Sequence, residues 1–352
     1  MWLENVDISL PLVQSRPVTG LGNFADMKAV VYNNYGAPDV LHVSETEKPQ
    51  PKEHEILVRI IAAEVTKADC EMRSFNFPVK WFWLPLRLVM GITKPRRHVL
   101  GNYFAGVIEE IEANVTKFKV GDEIYGGTGF RFGAHGEYVN LSEDASVAPK
   151  PENIGFESAA SIPLGGLNAL HFMRLANIQN GTSILINGAG GSIGLLAMQI
   201  AKDMGAEVSV VDSGTKEKML RGIGVIDFYN YTKENFANSG NEYDVVFDMV
   251  AQSSFSDCIK VLKPKGMYIT GNPTVAKMFR CAFLNRFSDK SATFKFANET
   301  IEELLTLKSM IEDGRISPIV DKVLPMENAA EAHHLVETEQ RMGSIVLSIS
   351  NQ

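Results

Sequence analysis

The chain has 352 residues, 45% of them hydrophobic, and a formal charge of -8; it is too long for one typical domain, so two are expected. The acidic balance, with no basic stripe to offset it, argues against a nucleic-acid partner. Cys70, Cys258 and Cys281 are far apart and odd in number, which points to a reducing, cytoplasmic setting without a disulfide framework, and no apolar run is long enough for an integral membrane segment.

Residues 1–26 read as a poorly ordered extension. Glu4 and Asp7 come without an early Lys or Arg, and Pro11 interrupts the only apolar run, so the parts of a signal peptide are missing. A first strand is expected at 27–32. Short apolar runs at 55–62, 104–111 and 137–141, separated by turn signals such as Val120-Gly121-Asp122 and Gly126-Gly127-Thr128-Gly129, predict a small barrel up to about residue 150. Within that half, the stretch 75–90 is unusually aromatic. A pocket wall, a subunit contact, a membrane-surface patch or plain core would each account for it.

Helical spacing returns at 157–176, and then strands alternate with helices. The apolar run Ile184-Leu185-Ile186 stops at Asn187-Gly188-Ala189-Gly190-Gly191-Ser192-Ile193-Gly194, and the next residues have the apolar spacing of a helix. Strand, tight turn and helix in this order suit a dinucleotide. Gly191 lets the backbone approach a pyrophosphate, Gly194 lets helix and strand pack closely, and the helix N-terminus offers N–H groups to the phosphates. Residues 189 to 194 are therefore expected to touch the cofactor. Further strands at 207–211, 244–248 and 266–270 imply a doubly wound parallel sheet, a Rossmann domain. A helix at 301–312 and a strand at 344–350 form a tail that returns to the first domain. The expected division is an extension to residue 26, a barrel domain over 27–150, a Rossmann domain over 151–285, and the return over 286–352.

Six motifs in order carry a family resemblance: Val65-Thr66-Lys67-Ala68-Asp69 with Arg73, Leu100-Gly101-Asn102-Tyr103-Phe104-Ala105-Gly106-Val107, Phe118-Lys119-Val120-Gly121-Asp122, Gly133-Ala134-His135-Gly136-Glu137-Tyr138, the glycine turn, and Gly343-Ser344-Ile345-Val346-Leu347. From residue 27 onward the chain resembles the zinc-independent medium-chain dehydrogenases/reductases of the quinone oxidoreductase type. The resemblance implies a GroES-like β-barrel domain built from both chain ends, a Rossmann domain between, an active site in the cleft, hydride transfer from a nicotinamide, and a homodimer. Zinc-dependent members place a cysteine ligand where this chain has Thr66 and a His-Glu pair where it has Asn102-Tyr103. Neither replacement is a good zinc ligand, and Cys70 stands alone, so no metal is expected. Without a Lewis acid, hydrogen-bond donors must meet the developing charge, which suits small apolar carbonyl compounds that are already activated, such as enones and enals, or quinones.

Thr66, Asp69 and Tyr103 are the candidate catalytic residues. The hydroxyls of Thr66 and Tyr103 can donate to a carbonyl oxygen, although a Tyr beside Phe104 on a strand also reads as packing. Asp69 and Arg73, one helical turn apart, read as a salt bridge holding the loop under the nicotinamide. For the cofactor's ribose, Asp212 at the end of the second strand taken alone favours NADH, whereas gap-free matching of the family pattern puts Ser213 there, with Asp212 facing away. Ser213, Lys216 and Lys218, with Ala189 at the first fingerprint position, favour NADPH. Asn168 and Gly271 complete the expected cofactor set. His135, His171, His333 and His334 show no metal-type clustering. Two other readings remain open: an NAD(P)-dependent alcohol or aldehyde oxidoreductase, and a nucleotide-binding module without turnover.

Overall fold

The structure, a computed structural model, describes residues 26–77, 83–295 and 297–350. Residues 1–25 of the expected extension and 78–82 of the aromatic stretch lie outside them. The chain begins with β1 (Asp26–Val31) paired antiparallel to β2 (His42–Glu47). Next comes β3 (Glu55–Val65), whose eleven side chains are all buried but one, so its sequence is a near-continuous apolar run instead of an alternating one. It is followed by α1 (Lys67–Ser74), α2 (Trp83–Met90), β4 (Tyr103–Ile111), β5 (Glu123–Gly127), β6 (Tyr138–Ser142) and β7 (Val147–Pro149). The single helix expected at 157–176 is two, α3 (Phe156–Ala160) and α4 (Pro163–Leu175). Pro163, which has no N–H to donate backwards, starts the second.

Strands and helices then alternate: β8 (Ser183–Asn187), α5 (Ser192–Asp203), β9 (Glu207–Asp212), α6 (Glu217–Ile223), β10 (Phe228–Asn230), β11 (Tyr243–Asp248), α7 (Phe255–Lys260), β12 (Leu262–Thr270), α8 (Val275–Phe287) and β13 (Ser291–Thr293). The tail comprises α9 (Ile301–Glu312), β14 (Val320–Pro325), α10 (Ala329–Glu337) and β15 (Ser344–Ser348).

Six strands form one sheet in the order β10-β9-β8-β11-β12-β13, each neighbouring pair parallel, which is the expected doubly wound Rossmann sheet. The sheet runs past the expected boundary at 285, because β13 is its last strand and pairs with β12. Strand order reverses between β8 and β11, so Asn187 and Asp248 at their carboxyl ends border the crevice where such sheets bind ligands. Asn187 Nδ2 donates to the fully buried Asp248 carboxylate (3.0 Å), which also takes the Tyr268 hydroxyl (2.6 Å) and the Lys277 ammonium (3.0 Å). That network leaves no uncompensated charge under the crevice.

The other large sheet runs β14-β15-β3-β4-β5-β7, with β6 also paired to β3, so both chain ends build the barrel domain. One apolar core joins the two domains: Ile61, Ala105, Tyr125 and Val346 pack with Leu167, Ile186, Phe247 and Leu304. The described part of the aromatic stretch forms a small satellite core of Phe75, Phe77 and Met90 with Phe132. The Arg87 guanidinium lies over the rings of Phe75 (4.2 Å) and Tyr35 (4.3 Å).

Candidate active site

The glycine turn is shaped by what a side chain would hit. Gly188 has φ +89°, the left-handed region that glycine enters at little cost. A Cβ at Gly194 would lie 2.5 Å from the Gly188 carbonyl oxygen and 2.6 Å from Ala189 Cα, so glycine is what lets α5 start against β8. At Gly191 the space is open, since a Cβ there would find no atom closer than Arg341 Nη2 at 3.9 Å. Gly191 is the N-cap of α5 and has no side chain to cap the helix, which leaves the first N–H groups of a twelve-residue helix free to bind an anion. Ser192 is buried and Ile193 partly so.

Asp212 ends β9 with its side chain turned toward this turn. Its carboxylate accepts from the N–H of Gly190 (2.7 Å) and of Ser213 (2.7 Å) and sits 3.6 Å from the Lys216 ammonium. Asp212 is thus committed to pinning the turn, while Ser213 is half-buried and shares a hydrogen bond with Thr215 (2.8 Å). Lys216 folds inward as well, 3.4 Å from the Gly190 carbonyl oxygen, whereas Lys218 is exposed. Asn168 stands on α4 and donates to Leu164 O (2.9 Å) within its own helix. Gly271 follows β12, and a Cβ there would press on Met249 at 3.0 Å.

On the barrel side of the cleft, Thr66 caps α1. Its Oγ1 accepts from the Asp69 N–H (3.1 Å) and its own backbone N–H donates to Asp69 Oδ2 (2.9 Å), a capping box, while its hydroxyl also donates to Asp69 Oδ2 (2.6 Å). The second Asp69 oxygen takes the Gly101 N–H (3.1 Å). The expected Asp69–Arg73 salt bridge is not made: Asp69 serves the cap and Gly101, while the fully buried Arg73 pairs with Glu337 (2.8 Å) and donates to Gly36 O (3.1 Å). The Tyr103 hydroxyl donates to Glu299 (2.5 Å), and burial, with the Glu299 carboxylate next, holds it far above the usual phenol range. Both hydroxyls expected to face a substrate carbonyl therefore give their protons to carboxylates. Asn102 lies between these groups, its Oδ1 accepting from Thr128 Oγ1 (3.2 Å).

Two residues of the cleft lie outside every motif named above. Glu64, fully buried at the end of β3, accepts from Ser192 Oγ (2.6 Å) and Ser344 Oγ (2.8 Å), so it ties the barrel to the start of α5. Burial pushes its carboxyl up to about 7, against the hydrogen bonds from Ser192 and Ser344 and the charge of Arg341. Arg341 donates to Ser192 Oγ (3.2 Å), and its buried Nε makes no hydrogen bond but lies 3.8 Å from the Glu339 carboxylate. A charged residue inside the buried run of β3 was the available signal for Glu64; Arg341, two residues before the Gly343-Ser344 motif, had none. His135 and His333 are buried with ring centres 5.8 Å apart, and burial holds both imidazoles below the ordinary histidine range. Among the described residues, no three His, Cys, Asp or Glu side chains gather to hold a metal ion.

Comparison with known proteins places this geometry. The model of the alcohol dehydrogenase GroES-like domain matches residues 52–152, and that described as zinc-binding dehydrogenase matches residues 223–347. The chain is 30% identical over 336 residues to the 2-methylene-furan-3-one reductase of Solanum lycopersicum, covering 92% of this chain and 79% of the relative. The chloroplastic NADPH-dependent alkenal/one oxidoreductase of Arabidopsis thaliana matches to the same extent, 30% over 336 residues, with the same shares of 92% and 79%. The solved quinone oxidoreductase of Coxiella burnetii superposes with a TM-score of 0.82 at 26% identity, covering 92% of this chain and all of that one. The chain belongs to the medium-chain dehydrogenase/reductase superfamily, in its quinone oxidoreductase-type branch.

Proposed function

We propose that the protein is an NADPH-dependent, zinc-independent reductase of quinones or α,β-unsaturated carbonyl compounds. The observation that carries the reading is the open cradle at Gly191, which joins an uncapped helix start to the buried guanidinium of Arg341, whose Nη2 lies 3.9 Å from where a Cβ at 191 would stand. These groups fit a pyrophosphate: N–H donors and a cation converge on a space that any side chain at 191 would fill. When bound, the nicotinamide supplies a hydride. The protein's part is to hold the dinucleotide with the turn from Ala189 to Gly194 and with Arg341, and to meet the charge that develops on the substrate oxygen. Asp212 is spent on Gly190 and balanced by Lys216, so the groups left toward the ribose are the hydroxyls of Ser213 and Thr215, which supports the phosphorylated cofactor. Thr66 and Asn102 take the places where zinc-dependent relatives set a thiolate and an imidazole, and neither is a good zinc ligand.

What supports a homodimer is α8 at the end of the parallel sheet. Val275 (42% exposed), Phe279 (73%), Phe283 (66%) and Phe287 (69%) recur every four residues on one face. The helix leads into β13, whose outer edge is unpaired among the described residues. Together with Phe294 these side chains offer about 500 Å² of apolar surface per copy. About 1,000 Å² over two copies is where a specific interface begins.

The test is cofactor oxidation, with NADPH and NADH, against a panel of quinones, enones, enals and aldehydes, before and after chelation. Turnover of the quinones or enones with NADPH, unaffected by chelator, is expected. Turnover confined to saturated aldehydes, or lost on chelation and restored by zinc, would refute the reading.

A further inference from the structure

The expected donors to a substrate carbonyl, Thr66 and Tyr103, are both engaged: one hydroxyl is held by Asp69 at 2.6 Å and the other by Glu299 at 2.5 Å. Between them stands Asn102, whose surroundings are of another kind. Its backbone is fixed by the Thr128 N–H, which donates to Asn102 O (2.8 Å), and its side-chain oxygen is the nearer of two acceptors of the Thr128 hydroxyl (3.2 Å, against 3.4 Å to Gly101 O). With Oδ1 taken by a side chain that is itself buried, the amide is oriented and Nδ2 points the other way. Asn102 Nδ2 makes no hydrogen bond among the described residues, and it is not among the buried polar atoms that lack a partner, so it keeps access to solvent. A chain of contacts connects it to the nucleotide cradle. Ser192 at the start of α5 bonds Glu64; Glu64 lies two residues before Thr66; Thr66 bonds Asp69; and Asp69 takes the N–H of Gly101, the residue before Asn102.

We propose that Asn102 is the hydrogen-bond donor to the substrate's carbonyl oxygen, with Thr128 as its positioning residue. The inference rests on the reductase reading above. As hydride reaches the β-carbon of an enone, a C–H bond forms and the electron pair of the C=C bond moves toward the carbonyl oxygen, where the amide N–H meets the negative charge. The α-carbon then takes a proton from water, so the enone gains two electrons and two hydrogens, and the nicotinamide is oxidised by loss of hydride. A neutral amide held in advance by Thr128 meets this charge without reorganising, which is the source of its catalytic effect.

The closing experiment separates this assignment from turnover. Cyclohexenone carrying an isotope label at its carbonyl carbon is bound to the complex of the full-length protein with NADP+, and its carbonyl stretch is read by difference infrared spectroscopy. A shift to lower frequency is expected in the natural protein, lost in Asn102→Leu and in Asn102→Asp, and weakened in Thr128→Val, with NADP+ affinity unchanged throughout. Turnover on the best enone should fall on the order of a hundredfold or more in both Asn102 variants. Retained NADP+ binding shows that a variant is folded, and the near-isosteric Asn102→Asp serves if Asn102→Leu is not. An equal shift in the natural protein and in Asn102→Asp, or no shift in either, overturns the assignment of Asn102. A shift that depends on Asn102 in a protein that reduces no substrate of the panel overturns the reductase reading and leaves the assignment standing.

Discussion

The carboxyl of Glu64 should contribute a loss of stability as pH rises through neutrality, and Glu64→Gln should remove that contribution. Glu64 is fully buried, and burial raises its carboxyl from 4.5 to about 7, with Ser192, Ser344 and Arg341 acting in the opposite direction. The folded protein thus holds this proton more tightly than the unfolded chain. Its stabilising contribution is complete below about 4.5 and is lost as pH rises through about 7. At about 1.4 kcal/mol per unit, the swing is on the order of 3 kcal/mol. The other groups facing Glu64 do not reproduce it. Tyr103 is held far above this window, while His135, whose Nε2 lies 3.4 Å from Glu64 O, and His333 are held below the ordinary histidine range and so act in the opposite sense, raising stability with pH. Glutamine preserves the shape and the oxygen that Ser192 and Ser344 donate to, but not the titration. Urea midpoints of the cofactor-free protein, measured from about pH 5 to about pH 8, should fall for the natural protein relative to Glu64→Gln, because Glu71, also pushed up to about 7 by burial, and the buried histidines titrate alike in both, so that the two curves diverge as pH rises. Parallel curves, or a variant that loses ground at the alkaline end, would refute a neutral, buried Glu64.

Gly191→Val should fold normally, because φ −92° and ψ 169° are ordinary extended values and a Cβ there meets nothing closer than 3.9 Å. Its affinity for NADPH by fluorescence titration should fall by about a hundredfold, and unchanged affinity would remove the cradle from the phosphate site. Ser213→Asp should shift the ratio of NADPH to NADH efficiency toward NADH by about tenfold, since it places a carboxylate beside the ribose. Asp212→Ser should instead leave that ratio little changed and lower stability by about 3 kcal/mol, because it releases the Gly190 N–H and strips the buried Lys216 of its nearest carboxylate. The reverse ranking would make Asp212 the selector. Phe283→Arg should turn a dimer on multi-angle light scattering into a monomer with native helix content; a natural protein that is already monomeric would dismiss the α8 interface.

The parts of this molecule legible in the sequence are those written in local spacing. A strand that stops at a glycine cluster and restarts as a helix is a pattern of about twenty residues, and the structure repeats it at β8, the turn and α5. β13 was missed because three residues carry no period, and the end of the Rossmann sheet was placed too early for that reason. The Asp69–Arg73 pair shows where local spacing misleads. Four residues apart on a helix is a valid ion-pair distance, but Thr66-Lys67-Ala68-Asp69 is also a capping-box pattern, and the cap won because it satisfies backbone N–H groups at the helix start. Arg73 found Glu337, 264 residues away, and Tyr103 found Glu299, 196 away. No spacing rule reaches those distances, since only the folded barrel brings α1 beside α10.

The same long-range pairings bear on the chemistry. A hydroxyl that donates to a carboxylate is a poor donor to a substrate, because turning away leaves the acceptor short of a partner, at a cost of a few kcal/mol where the acceptor is buried, as Asp69 is, and less at the half-buried Glu299. Asp69 and Glu299 therefore act on Thr66 and Tyr103 much as the capping geometry acts on α1: they fix the walls of the cleft and remove two groups from the reaction. What is left with access to solvent is a carboxamide, which neither titrates near neutrality nor holds a metal well, and which needs only a partner on its oxygen to point its N–H outward. Thr128 supplies that partner. With Asn102 as the proposed donor, the site would polarise a carbonyl only modestly, which fits acceptors whose β-carbon or ring already draws electrons better than simple alcohols and aldehydes, whose polarisation calls for a Lewis acid.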